Sequence, residues 1–247
     1  MLLKELIITE LIKLRKSYFV FFLLGFNILS VLIGSVIFSA NREVFKNDGN
    51  QSLVLWGQGS LYSSQLFFPM LIGVLCAVSW QFEEKDRNWQ RMSIIPVKKN
   101  MLVLAKFFSI QIFTGMNQLL FLALFNLSAF VLRVPDIQVW NFTLWCFLGW
   151  IGTFSITAIQ MFFSIRLRNF SFSILLSAVG AILGLMTLFV GDFLFNIFPY
   201  SQIAVGMRAR TLTNFSVQEF ILFCVMSVLF SVFALFLSVK LLNNRED

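Results

Sequence analysis

Histidine is absent from this sequence, and only three cysteines and four prolines occur among its 247 residues. Without histidine, the commonest metal ligand and the commonest general base are both missing. The cysteines (Cys76, Cys146 and Cys224) all fall inside apolar runs, and an odd count there argues against a disulfide framework. No G-x-x-x-x-G-K-[ST] stretch is present, so the chain has no P-loop to cradle nucleotide phosphates. Charged side chains make up 13% of the residues, against about 25% in soluble domains, which leaves too few to cover a water-facing surface.

What is abundant is apolar. Hydrophobic residues reach 58%, with 32 Phe, and the mean hydropathy is +0.84. Six long apolar runs stand out: Tyr18–Ala40, Leu61–Gln81, Met101–Leu132, Val139–Ile165, Phe170–Val190 and Val217–Leu242. Each exceeds the ~20 residues that a helix needs to cross a ~30 Å hydrocarbon core. In hydrocarbon every backbone N–H and C=O needs an internal partner, so the runs are expected to be helices. The first run has a basic flank and a Phe38-Ser39-Ala40 end, like a signal peptide. It is longer than the ~7–15 apolar residues of such a peptide, however, and reads as a retained span. The expected fold is an all-α integral membrane protein with six transmembrane helices.

Charge sets the expected orientation. The formal net charge is +7, and no basic patch with stacking aromatics lies outside the runs, so nucleic-acid binding is not expected. Fourteen of the 19 Lys and Arg residues fall on the side that holds both termini and the connection between the second and third runs. That side is expected to be cytoplasmic. Residues 1–17 read as an N-terminal amphipathic interfacial helix, with Leu3, Ile7, Leu11 and Leu14 on one face and Glu5, Thr9, Lys13 and Lys16 opposite. A plain cytoplasmic lead-in to the first span is the other reading. Residues 18–247 form the six-span domain, with extracellular loops at about 41–60 and 191–216. The second of these opens on FLFNIFPY (Phe193–Tyr200), which is apolar enough to dip into the membrane interface.

One stretch breaks the apolar pattern. FEEKDRNWQRMSIIPVKKN (Phe82–Asn100) holds eight of the 31 Asp, Glu, Lys and Arg residues. At about 2.5–3.5 kcal/mol per central charge, it cannot lie in lipid. Its first part suits a short helix with acids in the first turn, and Pro96 stops continuation. Trp89 and Met92, spaced i, i+3, share a face. They suit either a knob for a protein socket or an anchor lying back on the headgroups.

The positions Glu83, Pro96-Val97, Lys99 and Lys106 resemble the coupling segment of type-2 ABC export permeases. There, an acid opens a short cytoplasmic helix, a Pro-Val and a basic residue follow, and a Lys sits ten residues after the Pro. Arg87-Asn88-Trp89 stands where the family often has Gly-Thr. The six-span count, the amphipathic start and the large loop before the last span extend the resemblance over the whole chain. It implies a coupling helix at about 83–96, with Glu83, Glu84, Arg87, Trp89, Met92, Ile95, Pro96, Lys99 and Lys106 as the ATPase-coupling residues. It also implies separate ABC ATPase subunits, two of them, which bind the ATP and Mg²⁺, and a second permease, identical or related. Within the family the chain is similar to permeases of lantibiotic self-immunity systems, which implies a bacterial plasma-membrane exporter of an antimicrobial peptide. Efflux of another drug or lipid-linked compound, and a non-transporting immunity scaffold or sensor, are the alternatives.

Two further observations fit a borrowed motor. The spans carry no Asp, Glu or His in their middles, where a proton or sodium relay would put them. Glu83-Glu84 with Arg87 also approaches the paired-glutamate motif of intramembrane prenyl-processing metalloproteases, but is one residue short and lacks the histidine ligands, so no catalytic or metal site is expected. Gln111 and Gln118, spaced i, i+7 on the third run, read either as a polar lining on a translocation path or as helix–helix hydrogen bonding. Gly180 and Gly184 on the fifth run, preceded by Ser173 and Ser177, predict close helix packing.

Overall fold

The computed structural model describes residues 3–15, 19–45, 50–84 and 98–244, and every regular element among them is helical. α1 (Leu3–Arg15) precedes α2 (Phe19–Ala40), the first of six helices long and apolar enough to span a membrane. A single turn, α3 (Arg42–Phe45), follows. α4 (Gln51–Tyr62) runs through a π-helical turn at Ser63–Phe67 into α5 (Phe68–Glu84). α6 (Lys99–Val131), α7 (Val139–Leu167) and α8 (Phe170–Val190) are the next three spans. Short α9 (Asp192–Ile197), a 3₁₀ turn at Pro199–Ser201 and short α10 (Gln202–Gly206) come before the last span, α11 (Val217–Asn243). The fold is an all-α integral membrane protein. α7 is its hub, packed against α5, α6, α10 and α11, while α2 lies along α4 and α8 along α5.

The second span is longer than its apolar run. Gln51–Tyr62 is helical, whereas residues 41–60, which carry Gly57 and Gly59, read from sequence as an extracellular loop. The glycine serves close approach: a Cβ on Gly34 of α2 would lie 2.6 Å from the Gly59 backbone, so the two helices cross nearly backbone to backbone. The π turn answers Pro69. Proline cannot donate to the Gln65 carbonyl and its ring would press on it. A widened turn, closed by Phe68 N–H to Ser63 O, makes room.

At the end of the bundle remote from α1, Trp56 of α4 is fully buried. Its ring stacks on Phe142 (4.6 Å between centroids) and meets Phe125 edge-on (4.9 Å), and its indole N–H donates to Met207 O at 2.9 Å. That bond holds the segment after α10 against the core. The chain between α8 and α11 folds back into the bundle, with Ser201, Gln202, Ile203 and Ala204 unexposed. Gly152 of α7 faces the Gln202 carbonyl, and a Cβ on Gly206 would lie 2.6 Å from the Leu148 backbone. Of the aromatics in FLFNIFPY, Phe195 and Tyr200 turn inward and Phe193 outward. Arg208 closes the loop before α11 by donating to Thr213 O (2.6 Å) and Glu219 Oε2 (3.2 Å) while lying over the Phe215 ring.

Candidate functional site: a buried ion quartet

Near the end of α5 and the start of α6, four charged side chains meet. Lys106, in the second turn of α6, has no solvent exposure. Its ammonium donates to Glu10 Oε2 of α1 at 2.7 Å, to Glu83 Oε1 of α5 at 3.0 Å and to the Ser79 carbonyl at 2.9 Å. An ammonium has three protons, so its donors are fully used. The Trp80 ring lies 5.2 Å from the same nitrogen and gives it a π face. Lys13, one helical turn beyond Glu10, donates to Glu10 Oε1 (2.7 Å) and Glu83 Oε1 (2.9 Å). Two ammonium groups and two carboxylates alternate, so the cluster is neutral. That balance is what makes it tolerable, because an unpaired charge at this depth would cost several kcal/mol. Burial alone would lower the Lys13 pKa, but the paired Glu10 and Glu83 outweigh it and hold it above the ordinary lysine value.

The sequence positions each member. In α1 the protein-facing residues are Leu6, Glu10 and Leu14, while Ile8 and Ile12 face outward. Glu10 therefore sits in the middle of the apolar stripe, with Leu6 and Leu14 one turn away on either side. Helical periodicity alone hides it, because Leu3, Ile7, Leu11 and Leu14 read as the apolar face and Glu5, Thr9, Lys13 and Lys16 as the polar one. The signal was there: one acid centred in an amphipathic stripe, three residues before a Lys. On α5, Ser79, Trp80 and Glu83 fall within about one turn of one another. Glu83 and Glu84 belong to α5, the helix arriving from the membrane, rather than to the first turn of a separate helix. The helix continues through them because nothing in Val78–Glu84 breaks it.

The remaining residues that the resemblance assigns to coupling divide in two. Lys99 opens α6 and donates to Leu242 O, at the end of α11, at 2.9 Å. Glu84 is half-buried and engaged in a contact of its own. Arg87, Trp89, Met92, Ile95 and Pro96 lie outside the described residues.

Gln111 and Gln118 are both buried on α6. Gln111 Oε1 accepts from Thr114 and from Thr153 of α7 (2.8 Å for the latter), and its carbonyl accepts from the Trp150 indole at 2.9 Å. This geometry is helix–helix hydrogen bonding. Gln118 donates to Met207 Sδ at 3.4 Å and edges an apolar groove of about 320 Å³ between α6 and α7, which Gln111 does not line. Gly180 and Gly184 pack on Tyr200, whose hydroxyl accepts from Gln160 at 2.7 Å. Ser173 and Ser177 of the same stripe bond to Ser164 of α7 and to the Pro69 carbonyl of α5. The partners of this small-residue stripe are thus the re-entrant turn and two helices of the same chain. Among the described residues, no three His, Cys, Asp or Glu side chains converge as a metal site would require.

Six spans, with an ion quartet bracketing the charged connection between the second and third, are the context for one comparison. A family model described as ABC-2 family transporter protein matches residues 6–184. The chain belongs to the ABC-2 transporter family. The match takes in Glu10, Lys13, Glu83 and Lys106, and ends before the re-entrant turn and α11. No curated protein matches the chain significantly. The protein is a multi-pass membrane permease of an ABC transporter, of a family whose members are typically non-catalytic subunits that work with an ABC ATPase partner.

Proposed function

We propose that this permease is one half of an ATP-driven exporter, and that the ion quartet carries force from the ATPase into the membrane helices. The observation that carries the reading is Lys106, bonded at once to α1 through Glu10 and to α5 through Glu83. In the sequence, the charged segment 85–97 begins two residues after Glu83 and ends nine residues before Lys106. A push on that segment from an ATPase loads both ends of the quartet. α1, α5 and α6 then shift together, because separating them would expose unpaired buried charge. Fourteen of 19 Lys and Arg residues on the α1 side support a cytoplasmic placement for it, with both termini inside a bacterial plasma membrane. Two permeases, identical or related, stand over two ATPase subunits that bind the ATP and Mg²⁺. Resemblance to lantibiotic self-immunity permeases supports an amphipathic antimicrobial peptide as cargo, taken from the membrane. The lipid-facing surface is rich in apolar side chains that such a peptide can follow, among them Phe21, Phe22, Phe233 and Phe236.

The test is the double substitution Trp89→Ala with Met92→Ala. The permease inserts normally, but co-purification of the ATPase and cellular resistance to the peptide both fall. Retention of both by the double variant refutes docking through this segment. Challenge with other drugs in the same strain checks the cargo: resistance confined to non-peptide compounds overturns the peptide reading while leaving the coupling intact.

A further inference from the structure

A second polar feature lies at the α1 end of the bundle, next to the quartet but not part of it. The last turns of α5 and the α7–α8 connection enclose a crevice of about 110 Å³, lined by Ala77, Trp80, Gln81, Glu84, Ser164, Arg168, Asn169, Phe170 and Ser173. By helical rise, its mouth carries Glu84 and Arg168, and its floor, one turn deeper, carries Trp80 and the Ser164–Ser173 hydroxyl pair. Three things there favour an anion. Trp80 is 2% exposed and, among the described residues, its indole N–H has no hydrogen-bond partner, which is costly for a buried donor. Arg168 stands exposed in a left-handed conformation, φ 51°, at the turn between α7 and α8. The 21-residue α8 begins here behind its Asn169 cap and presents the positive end of its dipole. Among the described residues that line the crevice, Glu84 is the one anion, and it is engaged in an interaction of its own.

We propose that this crevice is a binding site for a phosphate group, held by the Trp80 indole N–H, the Arg168 guanidinium and the N-terminus of α8. Its volume equals that of three to four liquid waters at about 30 Å³ each, enough for one phosphate and its first ester substituent. It opens where the apolar stretch of α5 gives way to charge, the depth at which phospholipid phosphates lie; a free phosphate offers the same chemistry. Trp80 is the wall between crevice and quartet, since its ring faces Lys106 Nζ. An occupant of the crevice therefore leans on the same indole that leans on the quartet. The site stands on its own geometry and does not depend on the docking role of residues 85–97.

Native mass spectrometry of the detergent-purified permease tests the site. Three probes are used: phosphatidylglycerol, a diacylglycerol that lacks the phosphate, and inorganic phosphate. Trp80→Phe removes the donor and keeps a ring toward Lys106. Arg168→Asn removes the charge and keeps a residue that tolerates the left-handed turn. Phosphatidylglycerol is retained by the wild type over diacylglycerol, and each variant weakens that retention roughly tenfold, as expected for the loss of one charge-assisted hydrogen bond. Retention of inorganic phosphate with the same sensitivity identifies a free anion instead of a headgroup and still supports the site. Equal retention of phosphatidylglycerol and diacylglycerol overturns it, as does binding of either phosphate probe that neither variant weakens, or a crevice that holds water alone. Melting temperatures of both variants report whether they remain folded.

Discussion

Lys106→Met isolates the quartet. Lys106 is unexposed, and its partner carboxylates on Glu10 and Glu83 are only 4% and 2% exposed. The methionine fills most of the volume but leaves two buried carboxylates sharing the one ammonium of Lys13, which is 32% exposed. Removing one partner from a buried pair costs about 3–5 kcal/mol. At about 2–4 °C per kcal/mol for a chain of this size, the melting temperature falls on the order of 10 °C. The decisive comparison is the double variant Lys106→Met with Glu10→Gln, which deletes one charge of each sign and leaves the Lys13–Glu83 pair intact at its 2.9 Å separation. If the stability comes from mutual neutralisation, the double variant is more stable than the sum of the single effects predicts, by about 0.5–3 kcal/mol. Thermal unfolding of the four proteins in one detergent, followed by circular dichroism, supplies the cycle. Additive losses, or a Lys106→Met shift under about 2 °C, would refute the quartet as an interacting unit.

Three further outcomes follow from the same geometry. Gly152→Ala and Gly206→Ala each drive a methyl into backbone across the α7–α10 contact and lower thermal stability by about 1–3 kcal/mol, whereas Gly25→Ala, with nothing within 4 Å, leaves it unchanged or slightly raised. Arg208→Gln loosens residues 207–216, read as faster proteolysis there, at a cost of about 1–3 kcal/mol dominated by the Thr213 carbonyl and not by Glu219, whose side chain is 38% exposed. The Lys13 pKa is raised above its ordinary 10.5, so its contribution is complete below that value and disappears as pH rises through the higher, folded-state value. The stability difference between wild type and Lys13→Met is accordingly flat across neutral pH and shrinks only in strong alkali; shrinkage near neutrality would contradict the pairing.

Much of the architecture was legible in one dimension because lipid imposes it. A run such as Phe170–Val190 has a single way to satisfy its backbone in hydrocarbon, and it is a helix with those bounds. The start of the second span was hidden for a physical reason too. Gly57 and Gly59 imitate turn residues, and only the approach of Leu212 to Gly57 and of Gly34 to Gly59 reveals them as packing residues. At the candidate site, Glu83 and Lys106 were noticed through their resemblance to the coupling segment of a known family. Glu10 was missed because local periodicity treats a charge on an apolar stripe as an exception rather than as half of a pair.

Composition and run length by themselves determined that this chain lives in a membrane and crosses it as six helices. Hydropathy is a property of each segment alone, and the bilayer enforces it segment by segment. Only the tertiary structure decided that Glu10 and Lys106, 96 positions apart, share a hydrogen bond, and that the small residues of α8 close on Tyr200. Helical periodicity says which residues share a face, but which faces meet is set by packing among several helices at once, and no single segment encodes that.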